Sequence, residues 1–232
     1  LRDVIEDSDG FMRRYYAFLS LVHDPNKLFM TIAMKAVQSY LDLPDNIVPI
    51  TNAKELKIEY GPLIIPTYGK TPTFLINYAG PPSSKMVPGE NIPWKTFSRY
   101  PLSNILDVTD ITLSDPLEDT DWMDSFIGKV PEWITMISDP EEKAQIMAML
   151  GINAFDVTQT PFYNKIVIIG ASTEVFKDTK KTPFYNYGGA RQFTPGMETH
   201  ANAIQTILDN NYISIYGGSL DLTIDSFWHH FL

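Results

Sequence analysis

Lys165-Ile166-Val167-Ile168-Ile169-Gly170 is the stretch on which the fold turns. Its aliphatic residues do not alternate with polar ones, so a strand built from them is covered on both faces, as in a parallel sheet between helices. Downstream, Thr194-Pro195-Gly196 precedes a run in which Met197, His200, Ala201, Ile204, Ile207 and Leu208 recur at three- and four-residue steps. That spacing is the apolar stripe of a helix. Strand, long loop and helix make one arm of an α/β fold. The expectation is therefore an α/β domain with a central mixed or largely parallel sheet flanked by helices. Residues 165–169 would form a central strand, and residues 195–208 a helix packed on the same sheet.

Upstream, Asp7-Ser8-Asp9-Gly10 is turn chemistry: Asp side chains bond the backbone ahead, and Gly accepts positive φ. The aromatics of residues 11–22 favour a strand, although Arg13-Arg14-Tyr15-Tyr16 leaves its period open. After Asp24-Pro25-Asn26, the residues Leu28, Phe29, Ile32, Ala33, Ala36, Val37, Tyr40 and Leu41 predict an amphipathic helix ended by Pro44. Residues 58–60, 63–65 and 74–78 read as short strands divided by Gly and Pro, and a Pro-, Gly- and Ser-rich loop covers 80–93. Ser103 is an N-cap or turn residue within 97–106. Residues 107–160 change character and read as an α-helical insertion. Pro131 opens one short helix there, and Ser138-Asp139-Pro140-Glu141-Glu142 opens another that stops at Gly151.

The composition narrows the function. The chain has 232 residues, 44% of them hydrophobic and 12% aromatic, which is enough apolar surface to fold. The net charge of −10 lacks the basic footprint that nucleic-acid binding requires, and it disfavours an anionic membrane surface. With no cysteine, disulfides, thiolate zinc sites and cysteine nucleophiles are absent together. No uninterrupted apolar run approaches the roughly 18 residues of a membrane span. The charged opening residues are not a signal peptide.

Candidate chemistry is sparse. The turn at Gly170-Ala171-Ser172-Thr173 lacks the glycines that bring a dinucleotide phosphate close, and no phosphate-binding loop follows. Asp7-Ser8-Asp9-Gly10 is half of a calcium loop, but Ile5 stands at the first acidic position and no acid closes the loop, so a structural turn is preferred. The acids around Trp122 (Asp115, Glu118, Asp119, Asp121, Asp124) either hold a divalent cation or form a solvated face, and the second is the default. Glu198 and His200 offer an acid and a base, yet residues two apart on a helix diverge and His200 lies on the apolar stripe. A core histidine hydrogen-bonded to a neighbouring loop is the preferred reading. No Ser/His/Asp set is present, and no cofactor is expected.

Four blocks carry a resemblance. They are the strand with Asp178 and Thr182-Pro183; Pro195-Gly196-Met197-Glu198-Thr199-His200-Ala201-Asn202; Asp7-Ser8-Asp9-Gly10 with Arg13-Arg14; and Asn77-Tyr78-Ala79-Gly80-Pro81-Pro82. Together they resemble the second CHASE family, extracytoplasmic sensor domains of bacterial transmembrane receptors. The resemblance implies a non-catalytic domain between transmembrane helices, homodimeric through its receptor. It would relay an unidentified small-molecule or envelope ligand to a nucleotide cyclase, histidine kinase or Ser/Thr kinase. It also implies that Asp178, Thr182, Pro183, Pro195, Gly196, Glu198, His200 and Asn202 are structural or ligand-site residues, with Asp178, Thr182, Glu198 and His200 tying the post-strand loop to the helix start.

A structural dimerisation module remains the alternative, and an α/β enzyme the third reading. Tyr185-Asn186-Tyr187-Gly188-Gly189 either covers a pocket or is an ordered surface loop. Relative to that family, residues 1–232 read as a partial domain lacking an upstream portion. Phe227, Trp228 and Phe231 read either as an interfacial aromatic belt or as a cluster folded back on the domain.

Overall fold

The computed structural model describes residues 3–21, 23–68, 71–102, 105, 131–151, 158, 160–172 and 178–213. The chain divides into two compact units, residues 1–96 with 168–232, and residues 97–167.

In the first unit, β1 (Val4–Glu6) and β2 (Met12–Tyr16) are joined by the Asp7–Gly10 turn. The turn closes on its own backbone. Asp7 N–H donates to Phe11 C=O and Gly10 N–H to Asp7 C=O, both at 2.8 Å, while Gly10 sits at φ +81°, a conformation glycine adopts without cost. Ala17 then bends the chain into β3 (Phe18–Leu21), which pairs antiparallel with β4 (Asp24–Met30).

Helix α1 (Ile32–Tyr40) begins later than its apolar spacing suggests. Leu28 and Phe29 lie on β4, opposite Ser20 and Leu19. The stop is Thr31, whose backbone is extended and whose hydroxyl donates to Ala17 C=O at 3.1 Å. The side chain of Asp3 accepts the Ile32 N–H at 3.1 Å, satisfying one of the donors a helix start leaves open. The helix ends before Pro44, where buried Gln38 donates to the Pro44 carbonyl at 3.1 Å.

Next, β5 (Ile50–Asn52), β6 (Lys57–Tyr60) and β7 (Leu63–Pro66) form an antiparallel meander that buries Ile58, Tyr60 and Ile65. The Tyr60 ring meets Phe18 of β3 at 5.4 Å. Strand β8 (Thr73–Leu75) returns to β2, giving a three-stranded sheet in the order β1-β2-β8. On its inner face, Tyr15 stands opposite Phe74 with ring centroids 5.8 Å apart.

In the second unit, Pro131 precedes α2 (Glu132–Thr135). Helix α3 (Pro140–Met149) is capped by Asp139, whose carboxylate accepts the Glu141 N–H at 2.9 Å. Gly151 follows at φ +65°, so Pro at the start and Gly past the end frame the helix as the sequence predicts. Ile134 of α2 and Met147 of α3 are the buried apolar residues among those described in this unit, and Tyr100 packs edge-on against Phe162. Ser103 and the acids around Trp122 lie outside the described residues, as do Phe227, Trp228 and Phe231.

Back in the first unit, β9 (Thr179–Lys180) pairs antiparallel with β10 (Thr194–Pro195), which runs directly into α4 (Gly196–Leu208). Helix α4 packs on α1; Ala203, Ile204 and Ile207 of the one and Ala33, Met34 and Val37 of the other are buried. Ile204 is 4% exposed, as expected from its stripe position.

The fold is α/β in the general sense, but a central mixed or largely parallel sheet is not shown among the described residues. Every described strand pair is antiparallel, with one isolated parallel bridge, Phe11 to Lys181. Residues 166–170 carry no strand assignment; Val167 is 51% and Ile169 80% exposed. The reason lies at the sheet edges. Strand β2 is flanked by β1 and β8, and the chain beyond β8 gives its N–H groups to side chains of α4. The outer edge of β1 pairs with no described strand, so residues 166–170 do not join the sheet there either. An aliphatic run shows that burial is favourable, but not which edge supplies it.

Candidate functional site

The motif residues gather around the start of α4. The Gly196 N–H donates to the Asp178 carbonyl at 2.8 Å, and a Cβ at position 196 would overlap the Asp178 carboxylate. A side chain at position 196 would therefore have to displace that carboxylate from the helix start. The same carboxylate pairs with Lys180 Nζ at 2.9 Å. Across the β9–β10 pair, the buried hydroxyls of Thr182 and Thr194 lie 2.9 Å apart. Pro183 is exposed and Pro195 buried. The whole loop is fastened to β2 by the Met12 N–H, which donates to Lys181 C=O at 2.7 Å.

Glu198 sits in the first turn of α4, where the partial positive charge of the helix start favours a carboxylate. It is buried, and its Oε2 accepts the Ser83 N–H at 2.9 Å. One turn later, Asn202 Oδ1 accepts the Ala79 N–H at 2.8 Å, and its Nδ2 donates to the Glu198 carbonyl at 2.7 Å. One turn later again, the Thr206 hydroxyl accepts the Asn77 N–H at 3.0 Å and donates to the Asn202 carbonyl at 2.7 Å. Three polar side chains at four-residue steps thus hold the extended segment 77–83 against the helix. Pro81 and Pro82 have no N–H to give, so Ser83 supplies the next donor after Gly80. Tyr78 points the other way, its buried hydroxyl donating to Met12 C=O at 2.8 Å.

His200 leaves this row. Its Nδ1 is 2.7 Å from the Tyr15 hydroxyl on β2, and the rings meet edge-on at 5.6 Å. A neutral ring protonated at Nε2 accepts the phenol proton. Burial pushes the His200 pKa below the ordinary imidazole value, while Asp3 and Asp178 act in the opposite sense. Asp178 and Thr182 lie between the loop and the helix start, whereas Glu198 reaches segment 77–83 and His200 reaches β2. Sequence reasoning missed Thr206, Ser83 and Tyr15. A signal for Thr206 existed, since it stands four residues beyond Asn202, inside an otherwise apolar stripe.

The loop between β9 and β10 is packed by rings. Tyr185 meets Phe11 at 6.0 Å and Phe193 at 4.9 Å, and Tyr187 meets Phe184 at 5.3 Å and Trp94 at 5.5 Å. The Gln192 side chain donates to Tyr187 C=O at 2.8 Å, closing the loop over itself. Beside the Asp7–Gly10 turn, a second constellation pairs Arg13 and Arg14 with Asp7 and Asp9 at the edge of an open cleft.

Chemically, the α4 row is a set of anchors. The Glu198 carboxylate and Asn202 amide bind main-chain groups, and His200 binds a phenol; no nucleophile stands against a base in this row. Among the described residues no group of three or more His, Asp or Glu side chains converges as a metal site, and no helix is long and apolar enough to cross a membrane.

No curated protein and no solved structure matches the chain. A family model described as the CHASE2 domain matches residues 1–230, nearly the whole length. That match agrees with the order of the motif blocks, which the fold gathers at the α4 start, the 77–83 segment and the β1–β2 turn. The chain belongs to the CHASE2 family of extracytoplasmic sensory domains found in membrane receptors.

Proposed function

We propose that the chain is the sensory part of a bacterial transmembrane receptor. It relays ligand binding or assembly state to a cytoplasmic output such as a nucleotide cyclase or a kinase. The observation that carries this reading is the family match across residues 1–230. The α4 network supports it, because Glu198, His200 and Asn202 are engaged in tying elements together rather than in chemistry. In this reading the domain is not catalytic, takes no cofactor, and is held between transmembrane helices as a receptor homodimer. Asp178, Thr182, Pro183, Pro195 and Gly196 keep the post-β9 loop in register with the helix start.

The test is a thermal-shift screen of the chain with envelope metabolites, ions and peptides. A ligand that binds only the folded state at about one hundred times its Kd adds roughly 2.7 kcal/mol of stability. The same ligand should change cyclase or kinase output when added to the full receptor. Stabilisation without any change in output would contradict the relay.

A second reading, a constitutive dimerisation module, draws on exposed Val167 and Ile169, which a second copy could cover. It requires a concentration-dependent dimer by sedimentation and no response to any compound.

A further inference from the structure

The cleft beside the Asp7–Gly10 turn is separate from the α4 network and is an open depression of roughly 600 Å³. It is lined by Asp7, Asp9, Arg13, Arg14, Tyr68 and Leu75. Two guanidinium groups and two carboxylates give it no formal net charge but a strong internal separation of charge. Asp7 bridges both arginines, taking Arg13 Nη1 at 2.9 Å, Arg14 Nη2 at 2.6 Å and Arg14 Nε at 2.7 Å. Asp9 is gripped in a fork by Arg13 at 2.7 and 3.0 Å.

The turn is closed by its backbone hydrogen bonds, by the positive φ of Gly10 and by the Asp9 carboxylate, whose Oδ1 accepts the Phe11 N–H at 3.1 Å. The ion pairs hold two planar guanidinium groups in place at the cleft wall. Arg13 also stacks 4.6 Å from the Phe11 centroid and Arg14 5.5 Å from that of Tyr68. Among the described residues, Arg14 Nη1 and Arg13 Nε donate no hydrogen bond, so each arginine keeps donors for an incoming group. Asp9 is half-exposed; its Oδ1 accepts the Phe11 N–H and one Arg13 N–H, and its Oδ2 accepts a single Arg13 N–H, which leaves that oxygen able to take a further donor. Leu75 is the register partner of Arg14, which sets an apolar side chain on the same face of the sheet, and Tyr68 adds an exposed ring.

A ligand of net negative charge would meet two carboxylates here, and one of net positive charge two guanidiniums. A zwitterion meets neither penalty, because its anionic end lies on the arginine donors and its cationic end on the aspartates. We propose that this cleft is the domain's ligand site and that it takes an α-amino acid with an apolar side chain. The carboxylate is bound by Arg13 and Arg14, the ammonium by Asp9 and Asp7, and the side chain rests on Leu75 and Tyr68. The proposal rests on the sensor reading above, to which it adds the place and class of the ligand.

Isothermal titration of the 232-residue chain with L-leucine and L-phenylalanine tests it. Leucine methyl ester and N-acetyl-leucine, each lacking one of the two charges, are the controls. Binding of both amino acids is expected, with each control weaker by about tenfold or more, the scale of a lost charge-assisted hydrogen bond. Arg14→Gln should weaken leucine binding by about as much. Tyr68→Ala, which removes an exposed ring and leaves all the ion pairs, should weaken it severalfold without lowering Tm, so the proposal stays testable if Arg14→Gln fails to fold. No heat with either amino acid up to about 10 mM, or equal affinity for leucine and its two blocked forms, overturns the assignment. If amino acids fail while the thermal-shift screen returns a ligand of other chemistry, the cleft assignment falls and the sensor reading stands.

Discussion

Two segments of this chain, the mixed polar and proline-containing 76–83 and the aliphatic 166–170, are held in different ways. In the first, each of four main-chain donors has a stated partner. Ile76 donates to Arg13 C=O, Asn77 to Thr206, Ala79 to Asn202 and Ser83 to Glu198. In the second, four consecutive aliphatic residues follow Lys165, yet no described strand pairs with them, and Val167 and Ile169 face solvent. Apolar burial is non-directional, whereas hydrogen bonds demand a distance and an angle. Segment 76–83 is placed by directional partners that the helix presents once per turn. Segment 166–170 has only its apolar character, and that does not select a position.

The comparison can be broken most severely at Asn202. Asn202→Leu leaves the Ala79 N–H and the Glu198 carbonyl without their partner in a buried place, so a loss of about 2–4 kcal/mol is expected in urea denaturation. Thr206→Val keeps the shape and removes only the hydroxyl. A loss of about 1 kcal/mol should follow by the same measurement, because the Asn77 donor is partly solvated.

The His200 contact sharpens the contrast through pH. Its folded-state pKa lies below the unfolded value, so the unfolded chain binds the proton more readily. The stability tied to this group is present above the unfolded pKa, near 6.5, and is lost as pH falls through the folded pKa. Urea midpoints should therefore fall between neutral and mildly acidic pH, and His200→Gln should flatten that part of the profile. The smallest effect is expected at Ile169→Ser, within about 0.5 kcal/mol of the parent, as for exposed positions without special contacts.

Much of the local structure was legible because its signals are local. Pro131, Asp139-Pro140 and Gly151 frame α2 and α3, and Gly10 announces the β1–β2 turn. The start of α1 was not legible, since Leu28 and Phe29 fit the helical spacing as well as they fit β4. The pairing of Leu28 and Phe29 with β3 and the Thr31 bond to Ala17, fourteen residues away, decide between them. The α4 row was half legible. Glu198 and Asn202 stood in the motif, but their partners Ser83 and Ala79 lie more than a hundred residues upstream, and no spacing rule reaches that far. The charged wall of the turn cleft was visible as Asp7, Asp9, Arg13 and Arg14. Tyr68 and Leu75 were not, because β8 brings Leu75 beside Arg14 only after the sheet has formed.

Residue-resolved amide hydrogen exchange measures both segments in one sample. Protection reports whether an N–H is held in a closed hydrogen bond and how costly its opening is. The expected result is that Asn77, Ala79 and Ser83 exchange at least about a hundredfold more slowly than Val167 and Ile169. In Asn202→Leu the Ala79 amide should lose most of that protection. Protection of Val167 and Ile169 equal to or greater than that of Ala79 and Ser83 would contradict the account, because it is the signature of a central strand.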